Sequence, residues 1–128
     1  MTMYFTINAK LPSLNEYVNV CRRNKYQAAQ YKRDVEEVIG WAIRQAVTAK
    51  TLKPVKNPCV VHFEYHEATR KRDCDNIASA KKFILDALQK ENILQGDGQK
   101  YVTGFTDSFK HDKKDFVVVT IEECTNAN

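Results

Sequence analysis

The chain has 128 residues, is 43% hydrophobic and 28% charged, and carries a formal net charge of +4. That size and balance fit one globular domain over 1–128 that buries a core without disulfide or metal staples. They exclude a low-complexity or disordered chain; no apolar run reaches bilayer length, and MTMYFTINAKLPS lacks the features of a secretion signal, so no membrane span and a cytoplasmic location are expected.

In chain order, MYFTINA (Met3–Ala9) alternates and stops at Leu11-Pro12, which predicts a first strand. Ser13 and Glu16 form a capping-box pattern for a short helix to about Val20. CRRNKY then predicts a basic loop. From about Ala28 to Thr48, Tyr31, Val35, Val38, Ile39, Ala42 and Ala46 recur at three- and four-residue steps, which predicts a long amphipathic helix. After a loop with two prolines, CVVHFEYHE (Cys59–Glu67) predicts a strand with Val61, Phe63 and Tyr65 on one face and His62, Glu64 and His66 on the other. A helix from Asp75 to about Lys90, a Gly96–Gly98 turn, and strands YVTGFTDSF and DFVVVTIEE joined by a polar loop around KHDKK complete the chain, with CTNAN as a frayed tail. The order β-α-α-β-α-β-β implies an α/β (α+β) domain, a four-stranded mixed sheet packed by helices.

Charge is unevenly placed. Residues 1–72 hold 13 Lys/Arg against 6 Asp/Glu, and residues 73–128 hold 7 against 10. Such asymmetry points toward a nucleic-acid partner, although surface charge often serves only solubility. Cys21, Cys59, Cys74 and Cys124 form no CxxC pair or familiar zinc spacing, and reduced thiols are expected.

The chemistry concentrates in TRKRDCDNIASAKKFILDALQKENILQGDGQK (69–100). Asp73 and Asp75 stand one residue apart at a helix start, and Asp97 lies in the following Gly-Asp-Gly turn. At 100° per residue Ile77, Ala80, Ile84, Leu85, Ala87 and Leu88 share an apolar arc, with Phe83 at its edge. Asp75, Ser79, Lys82 and Asp86 lie opposite. Lys81 falls within the apolar arc, so its ammonium needs water or an acid. Taken alone, Asp75 reads as an N-cap, Asp73 as a loop acid balancing Arg72 and Asp97 as a turn residue. Three gathered together would repel and would require divalent cations, magnesium or manganese, leaving Arg70, Lys71 and Arg72 to hold an anionic substrate. Metal ions bridging carboxylates and a phosphate suggest phosphodiester hydrolysis, with a nearby lysine stabilising charge or orienting water. No calcium loop, P-loop or dinucleotide fingerprint is present.

RDCDNIASAKKFILDAL…LQGDGQKYV resembles the signature of the RusA-like Holliday-junction endodeoxyribonucleases often encoded in prophages. LPSLNEY and RRNKYQAAQYKRDV are similar to the phage and Gram-positive branch of that family. The resemblance implies metal-binding carboxylates at Asp73, Asp75 and Asp97, with Asn76 as the adjacent asparagine. It also implies a homodimer that uses magnesium to cut four-way DNA junctions symmetrically. The segment between the acidic motif and LDAL is about one helical turn longer than in the best-known members. Counting back from Asp86 selects Lys82 as the catalytic lysine, counting forward from Asp75 selects Ser79, and Lys81 is the reserve. Gly96 stands where an acid is common, one ligand fewer.

Other features have weaker readings. His62, Glu64 and His66 would suit zinc, but histidines on a solvated strand face are more often polar surface; Glu64 is also a candidate supporting acid. Arg22, Arg23, Lys25, Lys32 and Arg33 around Tyr26 and Tyr31 form either a solvated helix start or a phosphate-contacting surface; Arg22, Arg23 and Lys25, with Arg70, Lys71, Arg72 and Lys81, are the expected DNA contacts. Trp41 is expected in the core or at a dimer interface. The sequence thus favours a magnesium-dependent junction resolvase acting on branched DNA. A non-enzymatic nucleic-acid-binding module, or a nuclease of the same chemistry acting on flaps or forks, are the alternatives.

Overall fold

The computed structural model describes residues 2–124, so all of the CTNAN tail except Cys124 lies outside the described residues. Four strands, β1 (Thr2–Ile7), β2 (Cys59–Glu67), β3 (Val102–His111) and β4 (Phe116–Glu123), form one mixed sheet in the order β1-β4-β2-β3. β2 runs antiparallel to β4 and parallel to β3. Four helical segments accompany it: α1 (Leu14–Arg23), α2 (Lys25–Thr48), α3 (Cys74–Ala78) and α4 (Lys81–Lys90). The expected single α+β domain with a four-stranded mixed sheet is what forms, and no helix among the described residues is long and apolar enough to cross a membrane.

Strand alternation builds the core. Cross-strand register aligns Met3–Ile121–Val61, Phe5–Val119–Phe63 and Ile7–Val117–Tyr65, all buried beneath the helices. Against them pack Ile39, Ala42, Ile43 and Ala46 of α2, and Ile84, Leu85 and Leu88 of α4. The same rows run on to β3 as Phe105, Asp107 and Phe109. The helices do not cover that edge: of β3 only Val102 is buried, and Phe105 and Phe109 are exposed.

Two helix boundaries differ from expectation. The basic segment is not a loop, because α1 continues through Arg22 and Arg23 and α2 starts at Lys25. Asn24 makes this one-residue break possible: its Oδ1 accepts the Tyr26 N–H at 2.8 Å and the Gln27 N–H at 3.4 Å. Arg22 and Arg23 then occupy the last turn of α1, where cations offset exposed carbonyls. The second difference is a break between α3 and α4. Ser79 Oγ donates to the Asn76 carbonyl at 2.6 Å, and Ala80 and Phe83 N–H groups bond three residues back. This tightened turn splits the helix expected over 75–90. Only half of the capping box forms: Ser13 accepts the Glu16 N–H at 3.2 Å, while the Glu16 carboxylate turns toward Arg72. Trp41 is 60% exposed on the outer face of α2, so it is not a core residue, and Val38, expected in the apolar stripe, is also exposed.

All four cysteines are free, and only Cys59 is buried. Burial, with Cys124 and Glu123 nearby, pushes its thiol up to about 11. A raised folded-state pKa stabilises below the ordinary value of 9.0, and that contribution is lost as pH rises through about 11. A disulfide-exchange reagent should therefore titrate Cys21, Cys74 and Cys124 in the native chain and reach Cys59 only on unfolding or at strongly alkaline pH. Rapid native labelling of Cys59 at neutral pH would contradict this core.

Candidate functional site

β2 ends on Glu67, one of two buried polar residues among those described. Its carboxylate receives Arg72 in a two-pronged pair, Nε to Oε1 at 3.0 Å and Nη2 to Oε2. Arg72 Nη1 also donates to the Leu11 carbonyl at 3.0 Å. Arg72, expected to contact substrate, is instead an internal strut, because its fork is spent on Glu67 and the backbone. Arg70 and Lys71 remain exposed on the loop that this strut fixes. Thr69 Oγ1 accepts the Lys71 N–H at 3.2 Å, and Asp115 Oδ1 accepts the Ala68 N–H at 2.8 Å.

The loop delivers Asp73 to the N-cap of α3, a role the sequence suggested for Asp75. The Asp73 side chain makes no capping hydrogen bond, and Asp75 Oδ1 accepts only the adjacent Asn76 N–H at 3.0 Å. Both carboxylates are exposed. Asp97 does not join them in a metal-holding group. It meets Lys82, whose Nζ lies 3.3 Å from Asp97 Oδ2 and 3.1 Å from Asp86 Oδ1. Lys32 reaches the other Asp86 oxygen at 3.5 Å. Among the described residues, no three His, Cys, Asp or Glu side chains are placed to hold a metal ion. The donor set as arranged does not fit the expected three-carboxylate site, because Asp97 pairs with the Lys82 ammonium and is not grouped with Asp73 and Asp75.

Ser79, Lys82 and Asp86 do share a face and line a cavity of about 330 Å³ with Tyr17 and Lys32; Asp75 is not part of that lining. Asp86 and then Asp97 raise the Lys82 pKa, so this lysine is a fixed cation and not a general base. Gly96, where an acid was of interest, faces the Tyr101 ring: a Cβ there would sit 2.8 Å from two ring carbons.

Lys81 points the other way. Its Nζ lies 2.7 Å from Asp107 Oδ2 and 5.6 and 5.1 Å from the Phe63 and Phe105 ring centres. The Tyr65 hydroxyl donates to Asp107 Oδ1 at 3.3 Å. Burial, followed by the Asp107 charge, raises the Tyr65 pKa and keeps it a neutral donor. Asp107 was absent from the sequence-based candidates. Its signal was an acid at an inward position of an alternating strand, between Phe105 and Phe109.

The histidine face is divided into separate pairs. His62 contacts Thr106 Oγ1 at 2.6 Å and Glu122 Oε1 at 3.1 Å, whereas His66 contacts Glu64 and Asp112 and stacks on Phe116 with ring centres 4.0 Å apart. Those rings converge on no zinc position among the described residues. Arg22, Arg23 and Lys25 are exposed at the α1–α2 junction.

No protein-family model matches the chain, and no curated protein matches its sequence. The resemblance to RusA-like resolvases therefore rests on the quoted motifs alone.

Two predictions separate strut from tether. Arg72→Ala should lower unfolding free energy by about 3 kcal/mol, since it leaves Glu67 buried and unpaired, and Arg72→Lys should recover only part of this. Urea unfolding measures both; a loss no greater than that of an exposed arginine would remove the strut. Lys82→Met should cost no more than about 1 kcal/mol, because the pair is exposed. It should nevertheless speed amide exchange across residues 95–100. Since its pKa is raised, the Lys82 pair contributes below the ordinary value of 10.5 and is lost at higher pH. Unchanged exchange in the variant would show that the lysine does not restrain the turn.

Proposed function

We propose that this chain is a structure-selective DNA endonuclease acting on branched DNA, with four-way junctions as the preferred substrate. The observation that carries the reading is the exposed Asp73–Asp75 pair at the start of α3, on the same short loop as exposed Arg70 and Lys71. Carboxylates in no ion pair among the described residues, beside exposed cations, suit the hydrolysis of a phosphodiester: the cations bind the backbone, and the acids serve the reacting phosphate. The motif resemblance supports the same assignment. Arg22, Arg23 and Lys25 would extend phosphate contact away from the site.

Magnesium, with manganese as a substitute, belongs to this reading as an activator, and Asp73 and Asp75 are its proposed ligands. Asp97 can contribute only after leaving Lys82. A homodimer would supply one site per strand across a two-fold junction, and the outward Val38 and Trp41 of α2 are the surface proposed to pair. The proposed location is cytoplasmic.

A second reading, a nucleic-acid-binding module without catalysis, is favoured by the tie between Asp97 and Lys82. One experiment separates the two. Labelled four-way, three-way and linear duplex DNA are incubated with magnesium, manganese or EDTA, using the wild type and Asp75→Asn. The expected result is metal-dependent cutting of branched DNA by the wild type. Asp75→Asn should lose cutting, by at least about a hundredfold, while still binding the junction. Cutting by Asp75→Asn at the wild-type rate would overturn the assignment of the site. Binding without cutting in either metal, and no magnesium heat by calorimetry, would establish the binding module.

A further inference from the structure

Between the Arg70 loop and the end of β3 lies a cavity of about 220 Å³ that no residue of the carboxylate pair fills. We infer that it receives one unpaired nucleotide of the bound DNA, the base lying against Phe109 and the phosphate meeting Arg70 and Lys110. The inference rests on the DNA-binding part of the proposed function and adds what the site reads.

Size and shape come first. The volume falls below the roughly 300–1,000 Å³ of drug-sized pockets, which suits a single planar ring system. Three of its lining residues are aromatic or apolar: Tyr65, Ile77 and Phe109. Phe109 is 38% exposed but is not loosely placed, because its ring stacks on buried Tyr65 with centres 5.4 Å apart and planes 15° from parallel. An aromatic plane held in a fixed orientation and left partly open to water is a stacking platform awaiting a partner. Tyr65 is itself fixed by its hydrogen bond to Asp107.

Charge decides the rest. Arg70, Arg72 and Lys110 line the cavity against one carboxylate, Glu67, and that carboxylate is already cancelled by Arg72. Arg70 forms no ion pair among the described residues, and Lys110 has only a loose one, 3.7 Å from Glu64. The His111 Nε2–H is used on the Ala68 carbonyl at 3.1 Å, so this ring holds the loop in place. Apolar and aromatic lining residues beside Arg70 and a loosely paired Lys110 are complementary to a base joined to a phosphate. Within duplex DNA the base face is hidden in the stack, so only an unpaired or flipped nucleotide can enter. Cys74, which separates Asp73 from Asp75, also lines the cavity, so a nucleotide held there brings its backbone to the carboxylate pair. This would let the protein find a branch point by its unstacked base, without reading sequence.

The test is binding in EDTA, with the full chain and no cleavage. The probes are a short single strand carrying one purine analogue whose emission falls on stacking, and the matching duplex. Wild type should bind the single strand with quenching. Phe109→Leu keeps an apolar side chain on Tyr65 but removes the plane. It should abolish the quench and weaken single-strand binding about tenfold, leaving duplex binding unchanged. Phe109→Tyr should restore both. Arg70→Ala, on an exposed loop, should weaken binding while the bound fraction still quenches. Persistent quenching in Phe109→Leu, or an equal loss on duplex and single strand, would overturn the inference and leave the nuclease reading intact. So would competition by phenyl phosphate as strong as that of a mononucleotide, which would point to a phosphorylated peptide. Failure to bind either DNA would overturn both. Binding with the expected quench but no cutting in the metal assay would remove only the nuclease.

Discussion

A buried ion pair organises the working end of this molecule. Glu67 closes β2 inside the core, and Arg72 reaches back over five residues to meet it, bonding the Leu11 carbonyl on the way. Two charges out of water are costly unless their hydrogen-bonding capacity is used, and here most of the guanidinium fork is. The effect is geometric. The loop between strand and helix is tied at Arg72, and this places Arg70, Lys71, Asp73 and Asp75 relative to one another and to β3. Arg72 also holds the start of α1 within reach, through Glu16 at 3.6 Å.

Two adjacent lysines then divide the remaining electrostatics. Lys81 and Lys82 leave α4 on different sides, one to Asp107 on the sheet edge and one to Asp86 and Asp97 at the turn. The first pair is partly shielded and supported by Tyr65 and two aromatic rings, which makes it a structural anchor. The second is exposed and easily broken. The acid most in question, Asp97, is thus held by the weaker of the two couplings.

Strands were the most legible part of the sequence. β2 was readable to its ends, because nine residues of period-two pattern, with β-branched and aromatic side chains, have no helical competitor. The short basic segment misled, since cations suggest a solvated loop whereas Asn24 alone is enough to end one helix and begin the next. The split at Ser79–Ala80 was hidden because the apolar period continues across it; the ladder is interrupted by the Ser79 side-chain bond to a carbonyl and by backbone bonds that reach three residues back. In the site, the exposed Asp73–Asp75 pair was visible from spacing. The partner of Asp97 was not, because long-range contacts depend on where a turn returns, which local pattern does not encode. Arg72 looked like its neighbours Arg70 and Lys71; its burial follows from Glu67, a charged residue at an inward strand position.

Asp107 has one more consequence. β3 is ten residues long, lies at the border of the sheet, and offers unpaired backbone groups along one side. Such a border invites a stray strand from another molecule, particularly with Phe105 and Phe109 beside it. A carboxylate facing inward between those rings is satisfied by the Lys81 ammonium of α4 and the Tyr65 hydroxyl. A foreign sheet continuing across the border would have to take this partly exposed ion pair further out of water, at a desolvation cost. The anchor that fastens helix to strand therefore also discourages fibrous self-association.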